Sequence, residues 1–109
     1  MPRNQAKNIT VNACARSFSA KDMGIVDGPP VHLTTLGAYV DFLPPWIARK
    51  RVDWFTGGAF TPKKLANDDG LGTGPLVRTK VGDTVVYPTP YFLEYLERKG
   101  VHTVIVPQI

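Results

Sequence analysis

The sequence predicts an α+β domain in which two short helices joined by a tight turn precede a β-hairpin and a third helix. Three observations carry this expectation. Apolar residues recur at helical spacing across 31–43, and the proline pair Pro44-Pro45 separates that run from a second helical pattern. Beyond Pro75 the apolar period changes to alternation, and after Thr89 it returns to helical spacing. A chain of 109 residues makes one domain with a modest core.

Residues 1–30 read as a loosely ordered N-terminal arm, polar and mixed, with one short β-branched patch at Ile9-Thr10-Val11. Asp27-Gly28-Pro29-Pro30 breaks regular structure and marks where the ordered domain, 31–100, begins. In the first helix Leu33, Leu36, Val40 and Leu43 share a face, and the Thr34 hydroxyl suits the N-cap. Proline disfavours helical geometry in the residue before it, so Pro44 ends this element, and Pro45 suits the first turn of the next.

The second helix, 45–55, sets Ile47, Ala48, Val52 and Phe55 in one arc and Arg49, Lys50 and Asp53 on the other, with Arg51 at the apolar edge. Gly57-Gly58 closes it. Two helices so joined have the shape of a helix-turn-helix, which an ordinary helical hairpin shares. From Ala59 to Pro75 the chain reads as loop, with one or two helical turns at 62–67 behind a Thr61 cap. Gly70, Gly72 and Gly74 lack the flanking strand and helix of a phosphate-cradling loop, so they read as plain loop.

Leu76-Val77-Arg78-Thr79-Lys80-Val81, the turn Gly82-Asp83 and Thr84-Val85-Val86-Tyr87 make a hairpin, with Arg78 and Lys80 on one face. Thr89-Pro90 opens a third helix that buries Phe92, Leu93, Leu96 and Tyr95 and ends at Gly100. The remaining segment, 101–109, reads as a C-terminal strand that is either covered or used for self-association.

Thirteen Lys and Arg against nine Asp and Glu give a net charge of +4. Within 49–80, Arg49, Lys50, Arg51, Lys63, Lys64, Arg78 and Lys80 stand against Asp53, Asp68 and Asp69 alone, so the chain's net charge resides there. A local basic excess favours a polyanionic partner. Catalysis finds little support. Cys14 has no evident base, His32 and His102 have no metal-ligand spacing, and Asp68 and Asp69 form no acid–base pair with a third group. No enzyme activity, cofactor or metal is expected. The single cysteine leaves no internal disulfide and fits a reducing, cytoplasmic setting. No apolar run approaches a membrane span of about 20 residues.

Leu33-Thr34-Thr35 opening the first helix, Leu76-Val77-Arg78 entering the hairpin, and Gly82-Asp83-Thr84-Val85-Val86-Tyr87-Pro88-Thr89 running into Phe92-Leu93-Glu94-Tyr95-Leu96-Glu97 together resemble the winged helix-turn-helix of the excisionase and MerR-like group. The resemblance covers about two-thirds of the chain. It implies a two-stranded wing and a DNA-binding accessory protein that loads cooperatively on double-stranded DNA, bends it, and directs an integrase towards excision. Some members of the group also regulate transcription.

On that reading Arg49 and Lys50, with Trp46 or Asp53, face the major groove, where arginine bonds guanine bidentately. Arg51 completes the cationic run. Arg78 and Lys80 contact phosphates or the minor groove, and Lys63 and Lys64 add backbone contacts. Whether 45–55 or the segment from Pro62 is the recognition helix stays open. The competing expectation is a small phage or mobile-element interaction protein, an inhibitor or virion component, using the basic patch or the C-terminal edge on a protein partner. Tryptophan brings a large apolar area, so Trp46 and Trp54 are expected to pack into the core or its boundary.

Overall fold

The computed structural model describes residues 15–25, 27–102 and 104–108; Ile9-Thr10-Val11 and Cys14 lie outside them. The architecture is α+β, built on two antiparallel sheets. Strand β1 (Arg16–Phe18) pairs with β2 (Val31–Leu33), Ser17 opposite His32. Between them a 3₁₀ turn, Lys21–Met23, is fixed by reciprocal bonds in which Asp22 N–H donates to the Ser19 hydroxyl and Ser19 N–H to the Asp22 carboxylate. In the second sheet the order is β3 (Trp46–Ala48), β5 (Thr84–Pro88), β4 (Thr79–Val81), so β5 is central.

Helix α1 (Val52–Phe55) is a single turn continuing a 3₁₀ turn at Arg49–Arg51. Helix α2 (Pro62–Leu71) is capped by the Thr61 hydroxyl, which accepts from Lys64 N–H, and stops at Gly72 in the left-handed conformation. Helix α3 (Thr89–Lys99) lies against β2, β3, β5 and the 3₁₀ turn Gly37–Phe42. The core is correspondingly aromatic: Tyr87, Tyr91, Phe92 and Tyr95 are buried with Val31, Leu33, Ile47, Val52, Leu65 and Leu93. Tyr91 donates its hydroxyl to the Pro29 carbonyl, and that hydroxyl would stand 3.0 Å from a side-chain carbon at Gly28, a contact that would force a small shift.

Several expectations are corrected. The helix expected over 31–43 is strand β2, a bend at 34–36 and the 3₁₀ turn Gly37–Phe42. Thr34 is not a helix cap, because the N–H groups of Thr34, Thr35 and Leu36 all donate to the Glu97 carboxylate on α3. The apolar face was nonetheless read correctly, with Leu33 buried and Leu36, Val40 and Leu43 packed against the core.

The helix expected over 45–55 is also absent. Trp46, Ile47 and Ala48 instead extend the hairpin's sheet in register with Pro88, Tyr87 and Val86. Two contacts lock the Pro-Pro corner beside α3. Thr89 N–H donates to the Pro45 carbonyl at 2.9 Å, and the Thr89 hydroxyl donates to that of Pro44. Helical backbone starts only at Arg49, and the glycines at 57 and 58, both at positive φ, stop it soon after α1.

The expected 59–75 loop contains the ten-residue helix α2, which runs through Gly70. Glycine inside a helix costs about 1 kcal/mol, and the buried contacts of Leu65, Asp68 and Asp69 offset it. The expected C-terminal strand does not form among the described residues of 101–109, where Val104, Ile105 and Val106 are exposed. The hairpin and α3 form as expected, with Gly82 at positive φ in the two-residue turn. The first strand, however, starts at Thr79 rather than Leu76, which leaves Arg78 just outside it, and β3 makes the sheet three-stranded instead of a two-stranded wing. Among the described residues no helix is long and apolar enough to cross a membrane.

Candidate nucleic-acid interface

The surface at the centre of this chain is built on two adjacent carboxylates of α2. Leu65, Asp68 and Asp69 stand at i, i+3 and i+4, the spacing of one helical face, and that face is turned inward. Buried carboxylates need charged or hydrogen-bonding partners, and both have them. Asp68 accepts from the Tyr95 hydroxyl at 2.5 Å and lies 3.2 Å from Lys99 Nζ and 3.5 Å from Lys64 Nζ. The Tyr95 hydrogen bond, then Lys99 and Lys64, outweighs desolvation and holds the Asp68 carboxyl below its usual range.

Asp69 accepts from the Tyr87 hydroxyl at 2.6 Å and from Arg49 Nη2 at 2.5 Å, while Arg49 Nε donates to the Tyr87 oxygen at 3.0 Å. Arg49, Asp69 and Tyr87 thus form a closed triangle joining the 3₁₀ turn, α2 and β5. Burial, then the Asp69 carboxylate, pushes the Tyr87 phenol up to about 12, so it remains a donor at neutral pH. Its bond to Tyr87 and its pairing with Asp69 raise Arg49 further, so the guanidinium is a permanent cation. The second Asp69 oxygen, Oδ1, is buried without a hydrogen bond, 3.8 Å from Arg78 Nη1. One carboxylate therefore anchors an arginine from the turn and draws in an arginine from the hairpin.

Above this anchor the cations gather. Arg49, Lys50, Pro62, Asp83, Thr84 and Val85 line one shallow depression of about 370 Å³. Arg49, Arg78, Thr79, Lys80 and Val85 line a second, and Arg49 and Val85 belong to both. Arg49, Lys50, Arg78 and Lys80 thus form one surface, although Arg49 and Arg78 are separated by nearly thirty residues of sequence. Lys50 and Lys80 are exposed, and Asp83 is the one carboxylate lining either depression.

The other expected contact residues divide. Lys63 is exposed beside Pro62 at the edge of the first depression. Lys64 pairs with Asp68 and so serves the carboxylate anchor. Arg51 turns to a separate depression with Trp54 and Phe55. Trp46 lies elsewhere, with Phe18, Pro45 and Pro88, around a cavity of about 360 Å³.

Both tryptophans depart from the packing expected of them. Trp46 is 50% and Trp54 76% exposed. Asp68 and Asp69, expected in a loop, instead lie in α2 and form the anchor. The signal available was the Leu65-Asp68-Asp69 spacing behind a Thr-Pro cap, which sets both acids on the apolar side of a helix. No family model, curated protein or solved structure matches the chain.

Proposed function

We propose that the chain is a DNA-binding accessory protein of the excisionase type with no chemical step of its own. It grips the duplex with its hairpin and the Arg49–Arg51 turn rather than with a helix at 45–55. The observation that supports this reading is the convergence of Arg49, Lys50, Arg78 and Lys80 on one surface, with two of them set on a shared buried carboxylate. Cations held in place lose less freedom on meeting a phosphate than free lysines do, so an anchored arginine favours binding.

The sequential order of α2, hairpin and α3 is compatible with the later part of a winged domain. With no recognition helix at 45–55, α2 is the helix beside the wing, and its exposed Lys63 adds a backbone contact. An integrase or another DNA-bound protein is the natural partner, and regulation of transcription from the same sites is compatible with the same surface. The exposed Val104, Ile105 and Val106 favour a protein contact, either with that partner or between copies loaded side by side.

A mobility-shift titration tests the proposal, using duplex from the gene's own neighbourhood against an unrelated duplex. The expected result is a ladder of shifted bands on the neighbouring DNA, lost when Lys50→Glu and Lys80→Glu are combined. Absence of any shift at low salt, or a shift indifferent to both substitutions, overturns it.

A further inference from the structure

The three cations of the Arg49–Arg51 turn point to three places: Arg49 to Asp69, Lys50 to the basic surface, and Arg51 to the depression it shares with Trp54 and Phe55. The turn runs unbroken into α1, so Trp54 follows Lys50 by four residues and Arg51 by three. Residues three apart are neighbours on a helical surface, and Arg51 stands beside the indole in the depression they share with Phe55. The indole stands edge-on to Phe55, with ring centroids 5.2 Å apart and planes at 89°, and Phe55 packs against the core. Phe55 therefore braces a ring that is itself 76% exposed. The adjacent Asp53 carboxylate is turned to the backbone, accepting from the Trp54 main-chain N–H at 2.9 Å.

We propose that Trp54, with Arg51 beside it, is a stacking platform for an unpaired nucleobase of a strand whose phosphates cross the neighbouring basic surface. The inference rests on the DNA-binding reading above and names the state of the nucleic acid that the site takes. A base inside a duplex has both faces covered by its neighbours, so only an unpaired or extruded base can cover the indole. Arg51 suits a phosphate next to that base, and Lys50, which precedes Arg51 in the turn, lines the depression that leads to Arg49 and the hairpin. A single strand, or a duplex opened at one position, fits this combination of stacking ring and basic track.

The test uses the full chain carrying Trp46→Phe, so that Trp54 is the only indole, and follows its fluorescence. Three probes are titrated: a perfectly paired duplex, the same duplex with one unpaired base, and a thymidine strand of about 15 nucleotides. The strand and the interrupted duplex should quench Trp54, and the paired duplex should bind without quenching. Trp54→Ala should weaken binding of the first two by roughly ten- to a hundredfold, Trp54→Phe should retain most of the affinity, and neither should alter binding of the paired duplex. Because the side chain is exposed, both variants should fold, which circular dichroism checks.

Equal quenching by all three probes, or a Trp54→Ala variant that binds the strand as tightly as the parent, overturns the stacking site and leaves duplex binding standing. Quenching by an acidic peptide as strong as by the strand also overturns it, assigning the ring to a protein partner. Failure of every nucleic acid to bind removes the DNA-binding reading and the stacking site together.

Discussion

Glu97 holds the two halves of the fold together, and its removal has a calculable cost. From α3 its Oε1 accepts from Thr34 N–H at 2.9 Å and from the Thr34 hydroxyl at 3.2 Å, and its Oε2 accepts from Thr35 N–H and Leu36 N–H, each at 2.7 Å. A hydrogen bond to a charged group contributes about 1.5–3 kcal/mol when buried. Glu97 is only part-buried and the freed N–H groups can rehydrate, so about 0.5–1 kcal/mol each is appropriate, or about 2–4 kcal/mol for the set. Glu97→Gln keeps the shape but turns an amide N–H₂ towards backbone donors, so about 2 kcal/mol should be lost.

The pH dependence has a definite sign. Desolvation raises the Glu97 pKa, and the N–H groups of Thr34, Leu36 and Thr35 outweigh it, leaving the carboxyl below its ordinary value of 4.5. A depressed carboxyl contributes stability fully above the unfolded pKa and loses it as pH falls through the folded one. Urea denaturation of parent and Glu97→Gln should therefore differ by about 2 kcal/mol at neutral pH, and the gap should shrink as pH falls below 4.5 and close once it is below the depressed folded pKa. Asp68 is depressed in both proteins, so the difference between them isolates Glu97. A variant as stable as the parent at neutral pH, or a gap that persists in acid, would refute the role given to this carboxylate.

Other substitutions probe the anchor beneath the basic surface. Asp69→Asn leaves the Arg49 guanidinium without its carboxylate and should cost about 2–4 kcal/mol in a denaturant titration, the loss expected for a largely buried pair. Gly74→Ala would drive a methyl group into the Asp69 carboxylate and should destabilise by about 1–3 kcal/mol, whereas alanine at Gly70, which has open space around it, should not. A smaller cost of Gly74→Ala in an Asp69→Ala background than in the parent would confirm that contact as the cause. Gly82→Ala must hold a side chain at a φ of 61° and should lower stability by about 1 kcal/mol, with the loss visible as a lower denaturation midpoint.

The hairpin and α3 were legible in the sequence because their signals are local. An alternating run meets a Gly-containing two-residue turn, and Thr-Pro then opens a helix that a glycine ends. The segments at 31–43 and 45–55 were not legible as elements, although their buried positions were. Their secondary structure is decided by partners distant in sequence: Glu97 takes the N–H groups of residues 34–36, and β5 pairs with residues 46–48. Apolar residues at i, i+3 and i+7 fit a helix face, and they also fit a short strand followed by a 3₁₀ turn on the same core.

The placement of the candidate surface was only partly legible, for a related reason. Residue type marked the cations, but only the fold separates Lys50 and Lys80, which are exposed, from Lys64, which pairs with Asp68, and Trp46, which faces another cavity. Asp68 and Asp69 looked idle because, Lys64 apart, their partners come from distant elements: Tyr95 and Lys99 for Asp68, and Tyr87, Arg49 and Arg78 for Asp69.

The most direct test of the basic surface is the salt dependence of duplex binding, measured as the slope of log affinity against log salt concentration. Each phosphate contact contributes about −0.9 to that slope for a duplex. If Arg49, Lys50, Arg78 and Lys80 each meet a phosphate, the parent should show a slope of about −3 to −4, and Lys50→Ala and Lys80→Ala should each flatten it by about 0.9. A flat parent slope, or slopes unchanged by both substitutions, would contradict a DNA-binding role for this surface.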